Sequence, residues 1–148
     1  MKKGIYVLVA DSESLLRFSA KVALRKAGYE VSEARDGKEA LSMTLEARNR
    51  GEMFSLLLVD VRLPVVSRVG LLEALKRHSV ETPVVAMTDF SSKEFIEELM
   101  KSGCAGYIEK PFEPRELVER VDEILVERAV VTPSRSAPPG SIYGNNLS

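Results

Sequence analysis

The sequence predicts an α/β domain: a doubly wound, five-stranded parallel sheet with helices on both faces. Three observations point to it. Short apolar runs alternate with longer amphipathic stretches, the pattern of strands joined by crossover helices. The run Leu56-Leu57-Leu58-Val59 is apolar on both faces, as a central strand of a parallel sheet must be. Finally, 148 residues that are 45% hydrophobic suffice for one domain with one core and are too few for two ordinary ones.

The first strand spans Ile5 to Ala10, and the next helix carries Leu15, Leu16, Phe18, Val22, Ala23 and Leu24 at three- and four-residue spacing until Gly28 stops it. Ser12 or Ser14 is a candidate cap. Tyr29 to Ala34 alternates as a second strand, Asp36-Gly37 turns the chain, and Lys38 to Arg50 forms a helix ending at Gly51. Phe54 to Val61 is the third strand, followed by a helix with Val69, Leu71, Leu72 and Leu75 as its buried stripe. After Thr82-Pro83, the run Pro83 to Met87 is the fourth strand. Ser92 to Ser102 is a helix with Phe95, Ile96 and Leu99 inward, and Gly106 to Ile108 is the fifth strand. Pro114 opens a last helix whose positions Leu117, Val118, Val121, Ile124 and Leu125 hold one face to about Val126. From Val130 the composition turns to Pro, Ser, Gly and Asn, so the expected division is a domain over residues 1–127 and a flexible tail or linker over 128–148.

Composition excludes several classes. Lys and Arg total 21 against 22 for Asp and Glu, a net charge of −1, which gives no electrostatic reason for a nucleic-acid or membrane partner. The lone Cys104 cannot form an internal disulfide, and with the single His78 it cannot build a zinc cage. Cys104 reads as a core filler and His78 as a surface residue. After Met1-Lys2-Lys3 the apolar stretch meets Asp11 too soon for export or for spanning a bilayer, so a cytoplasmic protein is expected.

In open parallel sheets, ligands bind at the carboxyl ends of the strands. Asp11 ends the first apolar run, Asp60 interrupts the third, Thr88 ends the fourth and Lys110 follows the fifth. Two carboxylates, a hydroxyl and an ammonium at one sheet edge suit a carboxylate nucleophile attacking phosphorus, with Mg²⁺ offsetting charge and cations holding phosphoryl oxygens. Asp60, nearest the sheet centre, is the candidate nucleophile; Asp11 could hold metal, and Thr88 and Lys110 could take phosphoryl oxygens. Taken singly, each of these side chains would more often be a turn, cap or surface residue.

Over roughly Ile5 to Val126 the chain resembles the receiver domains of bacterial two-component response regulators. The blocks are Val9-Ala10-Asp11-Ser12-Glu13, Leu58-Val59-Asp60-Val61-Arg62-Leu63-Pro64, Ala86-Met87-Thr88 and Tyr107-Ile108-Glu109-Lys110-Pro111-Phe112. The resemblance implies a flavodoxin-like strand order 2-1-3-4-5 and a phosphoryl group on Asp60, donated by a sensor histidine kinase or phosphotransfer protein. It implies Mg²⁺ held by acidic residues, Asp60 and the main-chain carbonyl of Arg62, and a cis peptide bond at Lys110-Pro111. Thr88 and Tyr107 would form the switch. The altered surface would be the fourth helix, fifth strand and fifth helix, about Ser92 to Val126, read by a downstream protein, a fused output domain or a second copy. Such a domain is a signalling module rather than an enzyme.

The chain departs from the family in three places. Ser12 stands where a second acid commonly binds magnesium, so any metal contact would be weak or through water. Ser67-Arg68 replaces the usual acid and glycine, implying a different turn or strain. Asp89 follows Thr88 where a small residue is usual, and Arg62 lies two places after Asp60; as an ion pair over the pocket, they would tune phosphoryl lifetime. The rival reading is a pseudo-receiver, a constitutive interaction module that is never phosphorylated. A small aspartyl phosphatase is a third, disfavoured because Arg62 occupies the place of its second acid.

Overall fold

The computed structural model describes residues 4–66, 69–89 and 92–136. In chain order the elements are β1 (Tyr6–Ala10), α1 (Ser14–Lys26), β2 (Glu30–Ala34), α2 (Gly37–Asn49), β3 (Leu56–Asp60), β4 (Pro64–Val66), β5 (Val69–Gly70), α3 (Leu71–Arg77), β6 (Val84–Thr88), α4 (Lys93–Lys101), β7 (Gly106–Glu109) and α5 (Pro114–Ser136). The main sheet has five strands in the order β2-β1-β3-β6-β7, all neighbours parallel. Because β6 and β7 are the fourth and fifth strands of the sequence reading, this is the expected order 2-1-3-4-5. The antiparallel pair β4 and β5 is an addition that the sequence pattern did not suggest.

Strand alternation divides the core in two. Val7, Val9, Leu56, Leu58, Val85 and Met87 pack with Leu24 of α1 and with Leu117 and Val121 of α5. Leu8, Leu57, Val59 and Ala86 pack on the opposite face with Ala40 of α2 and with Leu71 and Leu75 of α3. All five residues of β3 are buried, as both-face coverage requires. Gly28 and Gly51, just past α1 and α2, have φ of +102° and +74°, the left-handed conformation that stops a helix at glycine with least cost.

Several expectations are corrected. In α1 the inward residues are Ala20, Ala23 and Leu24, whereas Leu15, Phe18 and Val22 are exposed. At 100° per residue those three fall on the outer stripe, and small alanines let the helix lie close to the sheet. Neither Ser12 nor Ser14 caps α1: Glu13 is the N-cap residue without a side-chain cap bond, and its N–H is taken by Asp11 Oδ1 at 2.8 Å. Val69 belongs to β5 rather than to the following helix, because Gly70 is extended at φ −77°, ψ 164° and α3 starts at Leu71. Phe95, Ile96 and Leu99 of α4 are only half-buried, with Leu99 packed against the core. The last helix runs past the expected end near Val126 to Ser136, since a helix nucleated by packing propagates through residues of modest propensity. Ser67 and Arg68 lie outside the described residues.

The cap of α2 carries a prediction. Asp36 accepts from the Glu39 N–H at 2.8 Å, while Glu39 Oε1 accepts from the Arg35 N–H at 2.8 Å. Asp36→Ala leaves that first-turn donor without its partner and should lower unfolding free energy by about 1 kcal/mol. Urea denaturation reads this as a lower midpoint at unchanged slope; an unchanged midpoint would assign the cap no energetic role.

Candidate functional site

The site lies where β1, β3, β6 and β7 end. Continuing the strand alternation beyond Val9, Leu58 and Ile108, all in the α1/α5 face of the core, places Asp11, Asp60 and Lys110 on one side of the sheet. Parallel strands in register bring their carboxyl ends to one rim, and β3, flanked by β1 and β6, puts Asp60 at its centre. Lys110 Nζ lies 2.8 Å from Asp11 Oδ2 and 3.1 Å from Asp60 Oδ2. Asp11 is 0% and Asp60 3% exposed, so this ammonium balances two carboxylates withdrawn from water.

The remaining carboxylate oxygens are bonded locally. Asp60 Oδ1 accepts from the Arg62 N–H at 2.9 Å, as Asp11 Oδ1 does from Glu13, each an aspartate bonding two residues ahead. Burial pushes the Asp60 carboxyl up, but the Arg62 N–H, the Lys110 ammonium and the Arg62 guanidinium outweigh it and hold it below the ordinary Asp value. Burial pulls the Lys110 ammonium down, yet its bonds to Asp11 and Asp60 prevail and leave it raised. Asp60 is therefore a carboxylate at neutral pH, the form that can attack an electrophile.

Thr88 is buried at the end of β6, and its carbonyl accepts from the Lys110 N–H at 2.8 Å. Tyr107 pairs in register with Ala86, one alternation before Thr88, so Thr88 and Tyr107 share the other face of neighbouring strands. The Tyr107 ring is half-buried, with the Arg120 guanidinium 5.9 Å from its centre. Ser12 is exposed, and the Lys110-Pro111 peptide bond is cis. Arg62 Nη2 stands 3.5 Å from Asp60 Oδ2 and Nη1 stands 3.4 Å from Asp89 Oδ2.

Arg17 was absent from the sequence reading. Its Nη1 donates to the Asp11 carbonyl at 2.7 Å and its Nε to Glu33 Oε1 at 3.1 Å, tying α1 and β2 to the loop that carries Asp11. Lys21 adds a 2.7 Å pair to Glu33, and these bonds outweigh burial to keep the Glu33 carboxyl low. Only its place on the inner side of α1, beside Leu16, could have marked it. A largely apolar cavity of about 570 Å³ lies among α3, α4 and the sheet, lined by Leu63, Leu71, Leu72, Ala86, Leu99 and Cys104 among others. Asp60 also lines it, whereas Asp11, Thr88 and Lys110 do not, so the cavity adjoins the site from the α3 side.

Known proteins share both the sequence and the architecture. The family model described as the response regulator receiver domain matches residues 7–122. The transcriptional regulatory protein SrrA of Staphylococcus aureus is 30% identical over 132 residues, covering 89% of this chain and 52% of that protein. The chain thus spans about half the length of this curated relative. A receiver domain of the Francisella response regulator 1452 superposes with a TM-score of 0.71 at 30% identity, over 82% of this chain and 97% of that one. The chemotaxis response regulator CheY4 of Vibrio cholerae gives 0.72 at 31%, over 81% and 98%.

Proposed function

From the premise that this chain belongs to the response regulator receiver domain family of two-component systems, we propose that Asp60 accepts a phosphoryl group and that the domain signals through the resulting change at Thr88 and Tyr107. Receiver domains are typically signalling modules rather than enzymes, and the family works with histidine kinases and output domains. The observation that supports the reading is the meeting of Asp11, Asp60 and Lys110 around one ammonium, drawn from three strand ends.

In the proposed step an Asp60 oxygen attacks phosphorus, the bond to the donor's leaving atom breaks, and its electron pair leaves with that group. Lys110 holds a phosphoryl oxygen, and the Thr88 hydroxyl takes another. As Thr88 turns toward it, Tyr107, on the same face one strand over, follows into the vacated space. The donor is a sensor histidine kinase or phosphotransfer protein. The reader of the surface formed by α4, β7 and α5 is a downstream protein or an attached output domain, with a second copy of the chain as a further candidate. We place the receiver at residues 1–127 and a linker at 128–148, whose first residues continue α5 to Ser136. Among the described residues no helix is long and apolar enough to cross a membrane; the cytoplasm is the proposed location.

Receiver domains generally bind Mg²⁺ at the phosphorylation site. The donor set here fits a magnesium ion that keeps several waters: two buried carboxylates, Asp11 and Asp60, with the Arg62 carbonyl and, through water, Ser12. When bound, the ion offsets charge on the phosphoryl oxygens and the attacking carboxylate. Among the described residues no group of three His, Cys, Asp or Glu side chains gathers to hold a metal. Ser12, neutral and exposed where a second acid is usual, favours the second reading, a pseudo-receiver that binds its partner constitutively.

Acetyl phosphate or beryllofluoride with Mg²⁺ separates the two. The expected result is a phosphate-sized mass gain on the wild type, none on Asp60→Asn, and about tenfold tighter Mg²⁺ binding on Ser12→Asp, the worth of one added anionic ligand. A wild type that stays inert while Ser12→Asp responds selects the pseudo-receiver. If neither responds, the acceptor assignment is wrong.

A further inference from the structure

We propose that the cavity between α3 and α4 is a binding site for a small apolar carboxylic acid, with Lys76 at its mouth taking the carboxylate. This does not depend on Asp60 being an acceptor. The cavity holds about 570 Å³, and sites for small organic ligands occupy about 300–1,000 Å³. Leu63, Leu71, Val84, Ala86 and Cys104 of the buried core form one wall, and the half-buried Leu72 and Leu99 flank it. Among the described residues α4 buries none of its side chains, whereas α3, across the cavity, buries Leu71, Ala74 and Leu75. The helix thus stands over unfilled apolar space, where lining atoms lack partners on one side. An apolar occupant supplies them.

Charge sets the class and the orientation of that occupant. Lys76 lines the cavity and among the described residues forms no ion pair, while Glu73, also in the lining, is taken by Arg77 at 3.5 Å. A Cβ at Gly103 would stand 3.4 Å from Lys76 Nζ, so the ammonium lies over the turn between α4 and β7, next to Cys104. Asp60, 3% exposed, lines the cavity too, and its carboxylate repels an anionic group placed beside it. A single negative head at Lys76 with an uncharged body pointing away from it satisfies both. Such a ligand touches the end of β3 and α4 together, and so holds α4 at its distance from the sheet.

The test uses the full chain and three probes. Anilinonaphthalene sulfonate, an aromatic monoanion, is the fluorescent reporter; naphthoate and naphthylmethylamine, one aromatic body with opposite charges, are competitors. The dye should saturate at one per chain and raise the melting temperature, as binding to the native state must. Naphthoate should displace it and slow alkylation of Cys104, the chain's single cysteine, and the amine should do neither. Lys76→Met should weaken naphthoate about three- to fivefold, the scale of one exposed ion pair, at unchanged melting temperature. Leu72→Trp, which fills the cavity from its flank, should abolish dye binding. Non-saturating dye, a lowered melting temperature, equal displacement by the amine, unprotected Cys104 or unchanged affinity in Lys76→Met overturns the assignment. Dye binding lost in Phe18→Ala but kept in Leu72→Trp would place the dye on the exposed stripe of α1 and overturn it equally.

Discussion

Lys110→Met should destabilise the metal-free domain by about 3–5 kcal/mol at neutral pH, the cost of stranding buried charge. Methionine keeps the stem's volume, so the loss is electrostatic. Asp11 and Asp60, both almost wholly buried, lose the ammonium that pairs them at 2.8 and 3.1 Å. In the wild type the folded Asp60 carboxyl lies below its ordinary value, so its contribution is present above that value and fades as pH falls through the folded one. Lys110 is raised in the fold, so its contribution holds below the ordinary Lys value and is lost as pH rises through the folded one. In the variant, burial acts on Asp60 without the ammonium, and stability should instead improve from pH 7 toward 5 as one carboxylate takes a proton. Mg²⁺ should restore part of the loss by replacing the cation. Urea melts at both pH values, with and without Mg²⁺, read all of this; a variant as stable as wild type at pH 7 would mean the triad holds no folding energy.

Leu58→Ala should cost about 2–5 kcal/mol, through lost transfer energy and the cavity left behind. Leu58 is 0% exposed in the central strand and packs in the cluster that joins α1 and α5 to the sheet. It also shares a face with Asp60, two residues on, so relaxation there reaches the proposed acceptor. Leu57→Ala, equally buried against α2 and α3 on the other face, is the control: comparable loss of stability, less change in phosphorylation rate per unit of stability lost. Equal rate changes in both variants would show that the acceptor senses global stability alone.

The strands were legible because a parallel sheet covered on both faces writes unbroken apolar runs, and Leu56 to Asp60 is such a run. Helix faces were less so. Leu15, Phe18 and Val22 satisfy the three- and four-residue spacing as well as the inner stripe does, and only the close approach of Ala20 and Ala23 to the sheet decides which side turns inward. The end of α5 was missed because Val130, Val131 and Pro133 argue locally against a helix that continues to Ser136. At the site, Asp11, Asp60 and Lys110 were found because each ends a strand, a position that sequence can mark. Arg17 was not, since its partner Glu33 lies in β2, and their meeting depends on β1 pairing with β2. The β4 and β5 pair lacks a long alternating run and left no trace in the pattern.

The ammonium that joins the two acids is 99 residues from one and 50 from the other along the chain. A ribosome that has released β1 through β6 has delivered both carboxylates but not their counterion, which arrives only after β7. Until that strand docks, the half-built sheet edge carries mutually repelling charges that a long loop closure must bring together. Assembly of the charged cluster therefore coincides with docking of the fifth strand of the main sheet, so a growing copy that has not yet made β7 holds its two acids without the cation that balances them.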